Sequence, residues 1–484
     1  MVRKHVAIVL MAVTGMSSAV LAEDAQRVIG EASTALGVAN VKSVQYSATG
    51  FDFAFGQAPT PGAAWPRFID KSYTRTVDFE HPGWRLDRVR LQGENPPRGG
   101  GGQPIVGEQA QSQSLIVDSK TSWAQQLDIW LLPQGFLKAA GHRAATVKQE
   151  TLAGKPYRVV SFIGDNGAEV NGYIDEHNRI ERVETWIDTP VLGDTAFEAD
   201  YSDYRQEAGG QFPRHILQKE GGFPILDLTV SEVTFNVPLS VEPSAAGAAA
   251  VAANGSPNPP AKSERLGDGV YLITGGYAVV AIEFKDYITL LEPGQSEARA
   301  LAVIAEAKRL FPGKPIKYVV NTHSHFDHSG GLRAFVAEGA TILTYQTNKA
   351  YLQKVLSQPH TLSPDEAQRS GKKPRVEGIG DKKVLTDGVQ VVDLYHLQHF
   401  LHHDGMVVAY LPKEKVLFEA DAFNPQAATA TPPSPPNPNT VSLYENIQRL
   451  HLDVQRVIPV HYPADEHVIA QAELTRWAGK GTPN

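Results

Sequence analysis

Cysteine is missing from all 484 residues. That one absence removes disulfides, thiol nucleophiles and thiolate metal ligands together. It also removes the lipid-bearing cysteine of a bacterial lipoprotein. A bilayer-spanning run is missing at the start as well, because the apolar stretch Val6–Val13 is too short to cross as a helix. Positive charge is in deficit: 45 Lys and Arg against 53 Asp and Glu give a net charge of −8, with no basic stripe. Phosphate backbones need clustered Lys and Arg, so nucleic acid is not an expected partner.

What the N-terminus does carry is ordered. Arg3-Lys4 precede the apolar run, and Val20-Leu21-Ala22 form a small-residue cleavage site before Glu23-Asp24. Residues 1–22 are therefore expected to be a signal peptide, with the mature chain in the periplasm or outside the cell and no stable membrane anchor. The length allows two or three domains. Residues 23–238 read as an antiparallel, β-rich accessory domain. Strand signals recur at Pro156–Ile163, Val170–Ile174, Arg179–Ile187, Leu226–Val230 and Val233–Phe235, with a helix expected over Phe136–Ala144. Arg98–Pro104 is a glycine-rich loop with no Lys-Ser/Thr helix start behind it, so it is not a phosphate cradle. The pattern faintly resembles the half-barrel of bacterial lipoprotein-carrier domains. A cap, a dimer contact and a lipid-like pocket all stay open as its role.

Residues 239–264 are dominated by Ala, Pro, Gly, Ser and Asn, a composition unable to fold alone, and read as a flexible linker. From 265 to 484 strands alternate with helices. Ser296 is an N-cap candidate, and Ala300, Val303, Ile304, Ala307 and Phe311 share one helical face.

The histidines are concentrated here: eleven of the sixteen lie from His323 onward. Thr322-His323-Ser324-His325-Phe326-Asp327-His328-Ser329-Gly330-Gly331 follows the strand-like run Ile316–Asn321 and precedes a helix opening at Leu332. In an extended segment His323, His325 and Asp327 would share a side, with His328 turned to the other. Such a cluster suits two adjacent metal ions. The glycines would permit a tight turn.

This H-x-H-x-D-H stretch resembles the signature of the metallo-β-lactamase superfamily, metal-dependent hydrolases sharing an αββα sandwich. The resemblance implies a fold class of α/β + β: a C-terminal αββα catalytic domain behind the antiparallel β-rich one. It also implies three further ligands downstream. His402 stands three residues before Gly405. Asp421 closes the strand-like Lys415–Ala420, and His461 ends Val457–Val460. On this basis His323, His325 and His402 would hold one ion, Asp327, His328 and His461 a second, and Asp421 would bridge. His396, His399 and His403 are read as solvated, supporting or substrate-facing. Two divalent ions can share a hydroxide and present it near neutral pH, with Asp327 as the catalytic residue that orients it or passes on its proton. Zinc suits the nitrogen-rich set, with iron or manganese as alternatives.

The bridging Asp421 points away from true β-lactamases of this fold and toward attack on an ester, lactone or thioester carbonyl. Phosphoester or organophosphate hydrolysis is the alternative within enzymes. A periplasmic carrier of an apolar ligand, with a non-catalytic second domain, is the alternative of another class. The expected partner is a small-molecule substrate, and a homo-oligomer stays open. Tyr345, Tyr395 and Tyr462 are candidates for an oxyanion contact. The proline-rich stretch Pro425–Thr440 reads as an extended loop, either a lid or a plain connection.

Overall fold

The computed structural model describes residues 24–94, 105–239 and 260–481. The expected signal peptide, the glycine-rich loop and most of the expected linker lie outside the described residues. No helix among the described residues is long and apolar enough to cross a membrane.

The N-terminal region is one antiparallel sheet of eleven strands. Its first strand, Ser43–Phe53, pairs with its last, Phe223–Phe235, in the interior of the strand order. The two expected strands near the end of this region are thus a single strand, irregular where it opposes Ser47/Ala48. Three helices, Ala25–Leu36, Trp123–Trp130 and Pro133–Gly141, bury their apolar sides on the sheet. Phe136 is fully buried there, and its ring occupies the space a Cβ on Gly172 would need, 2.3 Å away.

The C-terminal region contains a seven-stranded and a six-stranded sheet. Its first strand, Lys262–Gly267, begins inside the stretch read as linker. Alternation along the strands builds two layers of core. Val280 and Ile282 face inward to meet Leu394, Val408, Phe418 and Val457 of the other sheet. Val279 and Ala281 face outward to Ala300, Val303, Phe335 and Leu352 on the helices Glu297–Leu310, Leu332–Glu338 and Gln346–Val355. The helices Pro438–Arg449 and Gln471–Trp477 accompany the second sheet. This is the αββα sandwich the resemblance implied. Ser296 caps as expected, its Oγ accepting from the Arg299 N–H at 3.2 Å.

One expected element differs. Pro438, inside the stretch expected to be loop, opens a helix behind the cap Asn437. A first helical position has no use for the N–H that proline lacks.

The two regions are joined by polar and aromatic contacts. Asp194 accepts from Thr361 N (2.8 Å), Thr361 Oγ1 (2.5 Å) and Leu362 N (3.1 Å), while its own N–H donates to Pro359 O (2.9 Å). These donors outweigh partial burial and hold the Asp194 carboxyl below the usual range. Phe55 and Trp65 of the first region pack edge-on against Phe326 of the second, at centroid distances of 5.1 and 6.3 Å. Replacing Asp194 by Ala is expected to weaken this junction by about 2 kcal/mol, the scale of hydrogen bonds to a charged acceptor. The check is denaturant unfolding followed by one probe in each region, where the two transitions should move apart.

Candidate metal centre

Parallel strands deliver the site. Ile288–Leu291, Ile316–Val320 and Thr341–Tyr345 run parallel in one sheet, and Val416–Glu419 and Arg456–Pro459 run parallel in the other. Residues just beyond their C-terminal ends therefore gather along one edge: Glu292 and His323 from the first sheet, Asp421 and His461 from the second. Two backbone bonds tie the sheets there, Val407 N to Thr322 O (2.8 Å) and Ala278 N to Val460 O (2.9 Å).

All seven residues singled out in the sequence converge. His323, His325, His402 and Asp421 bring one ligand atom each within 4.8 Å of one another, and so do Asp327, His328, Asp421 and His461. Asp421 belongs to both groups. Its Oδ2 lies 2.9 Å from His402 Nε2 and 3.2 Å from both His323 Nε2 and His328 Nε2, and its Oδ1 lies 2.7 Å from His461 Nε2.

The local backbone differs from expectation in one respect. Phe326–Ser329 is a single helical turn, so Asp327 does not continue the extended row of His323 and His325. The turn places Asp327 and His328 together in the second group. Gly330 and Gly331 also serve differently, since neither has a positive φ. A Cβ at these positions would meet Gln295 O at 2.3 Å and Pro293 O at 2.5 Å, so close backbone approach is what requires glycine.

The arrangement fits cations. His323 Nε2, His325 Nδ1, His328 Nε2, His461 Nε2 and Asp421 Oδ1 are buried and form no aligned hydrogen bond. Such orphaned atoms are costly unless something fills the space between them. Burial, reinforced by neighbouring imidazoles, pushes His323 and His325 well below the ordinary histidine range, leaving them neutral as a ligand must be. Burial opposes charge on Asp421 too, yet His328 and His461 hold its carboxyl well below the usual range. Against burial, Asp421 and Asp327 raise His328. Where no metal is bound, that proton supplies the positive charge the carboxylates demand.

Supporting contacts select which nitrogen faces the centre. Thr322 Oγ1 lies 3.1 Å from His323 Nδ1, leaving Nε2 inward. Glu292 Oε1 lies 3.0 Å from His328 Nδ1 with the same effect, a carboxylate–imidazole pairing common behind metal ligands. Tyr277 donates its hydroxyl to Asp327 Oδ2 at 2.9 Å and sets its ring edge-on to His461, 4.6 Å between centroids. Burial, with Asp327 adding to it, pushes the Tyr277 phenol far up, so it stays a donor. Buried Arg299 holds the chain beneath Tyr277, donating to the carbonyls of Ile273, Thr274 and Tyr277. Glu292 and Tyr277 were not singled out in the sequence. The only signals were an acid ending the apolar run Ile288–Leu291 and a tyrosine after Gly275-Gly276.

The tyrosines that were singled out lie elsewhere in the hydrogen-bond network. Tyr345 stacks on His396 at 3.8 Å, Tyr395 donates to Asp393, and the Tyr462 hydroxyl accepts from Arg456. His403 is fully buried, with Nε2 2.9 Å from Ser324 Oγ and Nδ1 accepting from Gly405 N. It is a support for the ligand loops. His396 is 2.8 Å from Asp404 O, and His399 is exposed.

Residues 273–461 match the family model described as the metallo-beta-lactamase superfamily. The C-terminal domain belongs to this superfamily. Proteins of the superfamily are metal-dependent hydrolases. Among curated proteins, the superfamily domain's chain is similar to a linear primary-alkylsulfatase of Pseudomonas sp. (strain ATCC 19151), 32% identical over 94 residues, 19% of this chain and 17% of that protein. A second linear primary-alkylsulfatase, from Pseudomonas sp., is 37% identical over 73 residues, 15% and 11% of the two chains. The chain thus spans less than a fifth of the length of these relatives. Among solved structures, a metallo-beta-lactamase from Pontibacter korlensis matches with a TM-score of 0.35 and 18% identity, over 46% of this chain and 98% of that one.

Glu292→Gln is expected to loosen metal held by His328 about 10- to 100-fold, the usual effect of removing such a partner. Competition with a chelator, followed ion by ion, measures it.

Proposed function

We propose that this chain is a dinuclear metal-dependent hydrolase of carboxylic esters, lactones or thioesters, with zinc as the resident ion and the periplasm or cell exterior as its location. The observation that carries the reading is the position of the Asp421 carboxylate between the two ligand groups. A single ion would need only one of these groups. The location rests on the order of charge, apolar run and small residues before Glu23.

His323, His325 and His402 would hold one ion, Asp327, His328 and His461 the other, with Asp421 touching both. Two such ions would supply Lewis acidity and lower the proton affinity of water at the site. The protein's own part is arrangement and proton handling. Only Asp327 and His461 leave part of their side chains open, 27% and 25%, while the side chains of His323, His328 and Asp421 are sealed. Substrate therefore approaches from the Asp327–His461 side. With ions bound, their charge would take the place of the His328 proton beside Asp327, and this partly open carboxylate at the mouth would orient the attacking water or pass its proton on. Tyr277 holds that carboxylate in place without competing for the proton.

A second reading, sulfate-ester cleavage, is favoured by the similarity to linear primary-alkylsulfatases. It uses the same centre against tetrahedral sulfur. The carrier reading is weakened by the buried side chains of the three N-terminal helices, which fill the sheet face an apolar ligand would need.

The test is elemental analysis with a panel of aryl esters, lactones, thioesters, alkyl sulfates, phosphodiesters and β-lactams. About two ions per chain are expected, with acyl turnover that falls at least about 100-fold in Asp421→Ala. Turnover of alkyl sulfates alone would transfer the assignment to the second reading. Two bound ions with no turnover on any member would sink both.

A further inference from the structure

We infer that the loop 54–66 of the N-terminal region is a working part of the metal centre, with Gln57 as a positioning residue for Asp327. The inference rests on the dinuclear reading above. Gln57 Nε2 donates to Asp327 Oδ1 at 2.8 Å, across 270 residues of chain. Because Tyr277 occupies the other oxygen, the carboxylate is gripped from both sides, once by each region of the protein. The donor assignment follows from chemistry: an ionised carboxylate only accepts, so the amide must present its NH₂.

The next residue acts on the other ligand group. Ala58 O lies 3.0 Å from His325 Nε2, which fixes the proton there and leaves Nδ1 to face the centre. Each ion's ligand set thus includes one side chain held by this loop. The loop is itself clamped to both ligand-bearing segments. Phe326 N donates to Gly56 O (3.2 Å), Asp404 N to Pro59 O (2.9 Å), and Thr60 Oγ1 to Asp404 Oδ2 (2.9 Å). Gly56 has φ +75°, and a Cβ there would lie 2.5 Å from the Phe326 ring, so the backbone can rest on the metal loop only as glycine.

A purely structural glutamine would have both ends of its amide paired. Gln57 does not: its Oε1 is buried with no hydrogen-bond partner.

The test uses the full chain loaded with zinc, with each ion's retention followed by chelator competition, and the thermal midpoint of the metal-free protein recorded. Gln57→Leu keeps the bulk and removes the amide. It should weaken one of two ions about 10- to 100-fold and leave the other ion as in wild type. Thr361→Val removes a contact between the two regions outside this loop and should leave both ions as in wild type. Equal retention of both ions in Gln57→Leu overturns the inference. So does equal weakening of both ions with a lowered midpoint, or the same effect from Thr361→Val, since each marks a junction that only stabilises. Fewer than two ions on the wild-type chain overturns the dinuclear reading first, and this one with it.

Discussion

The centre depends on one carboxylate placed where four imidazoles can reach it. Asp421 is fully buried, and an isolated anion in that position would be expelled or protonated. It remains ionised because His323, His328, His402 and His461 surround its two oxygens. The histidines, equally buried for the most part, are tolerable only because each has a second contact that fixes its free nitrogen or because the space between them takes a cation. Removing charge from either partner class leaves the other stranded. The strand ends, the inter-sheet backbone bonds and the helical turn at Phe326–Ser329 are all consequences of bringing those groups to one edge.

Much of this was readable from the chain because the ligands stand at boundaries the chain itself announces. His323, Asp421 and His461 each follow a short β-branched run, and such runs make strands whose ends a sheet aligns. Glu292 and Tyr277 end or follow equally ordinary runs, but a lone acid or tyrosine there has many bland explanations. Only spatial proximity to His328 and Asp327 gives them a task. Tyr345, Tyr395 and Tyr462 illustrate the converse, since proximity in sequence to ligand segments did not bring their hydroxyls to the centre. His403 neighbours a ligand and is as buried as one, yet its two nitrogens are satisfied by Ser324 and Gly405.

The N-terminal region was legible as a sheet and mute as to purpose. Strands such as Ile180–Thr189 alternate along much of their length, and the helix near Phe136 was visible, but no residue type in the region announces chemistry. Nothing in the stretch Phe55–Trp65 marks a destination, and contacts spanning 270 residues leave no local pattern. The aromatic pair Phe55 and Trp65 is legible only once Phe326 lies between the two regions.

The division of labour across that junction has an electrostatic logic. The C-terminal domain supplies every ionisable side chain of the centre: Asp327, Asp421, the imidazoles and the supporting Glu292. The loop from the other region reaches the ligands with a neutral amide and a backbone carbonyl. A lysine or arginine at Gln57 would neutralise Asp327 in a cation's place, and an aspartate or glutamate would add a repulsive charge beside it. Neutral hydrogen bonds can orient ligands without altering the charge the metals must balance. A folded neighbour can therefore be added to a centre of this kind and orient its ligands while the charge that balances the cations stays within one domain.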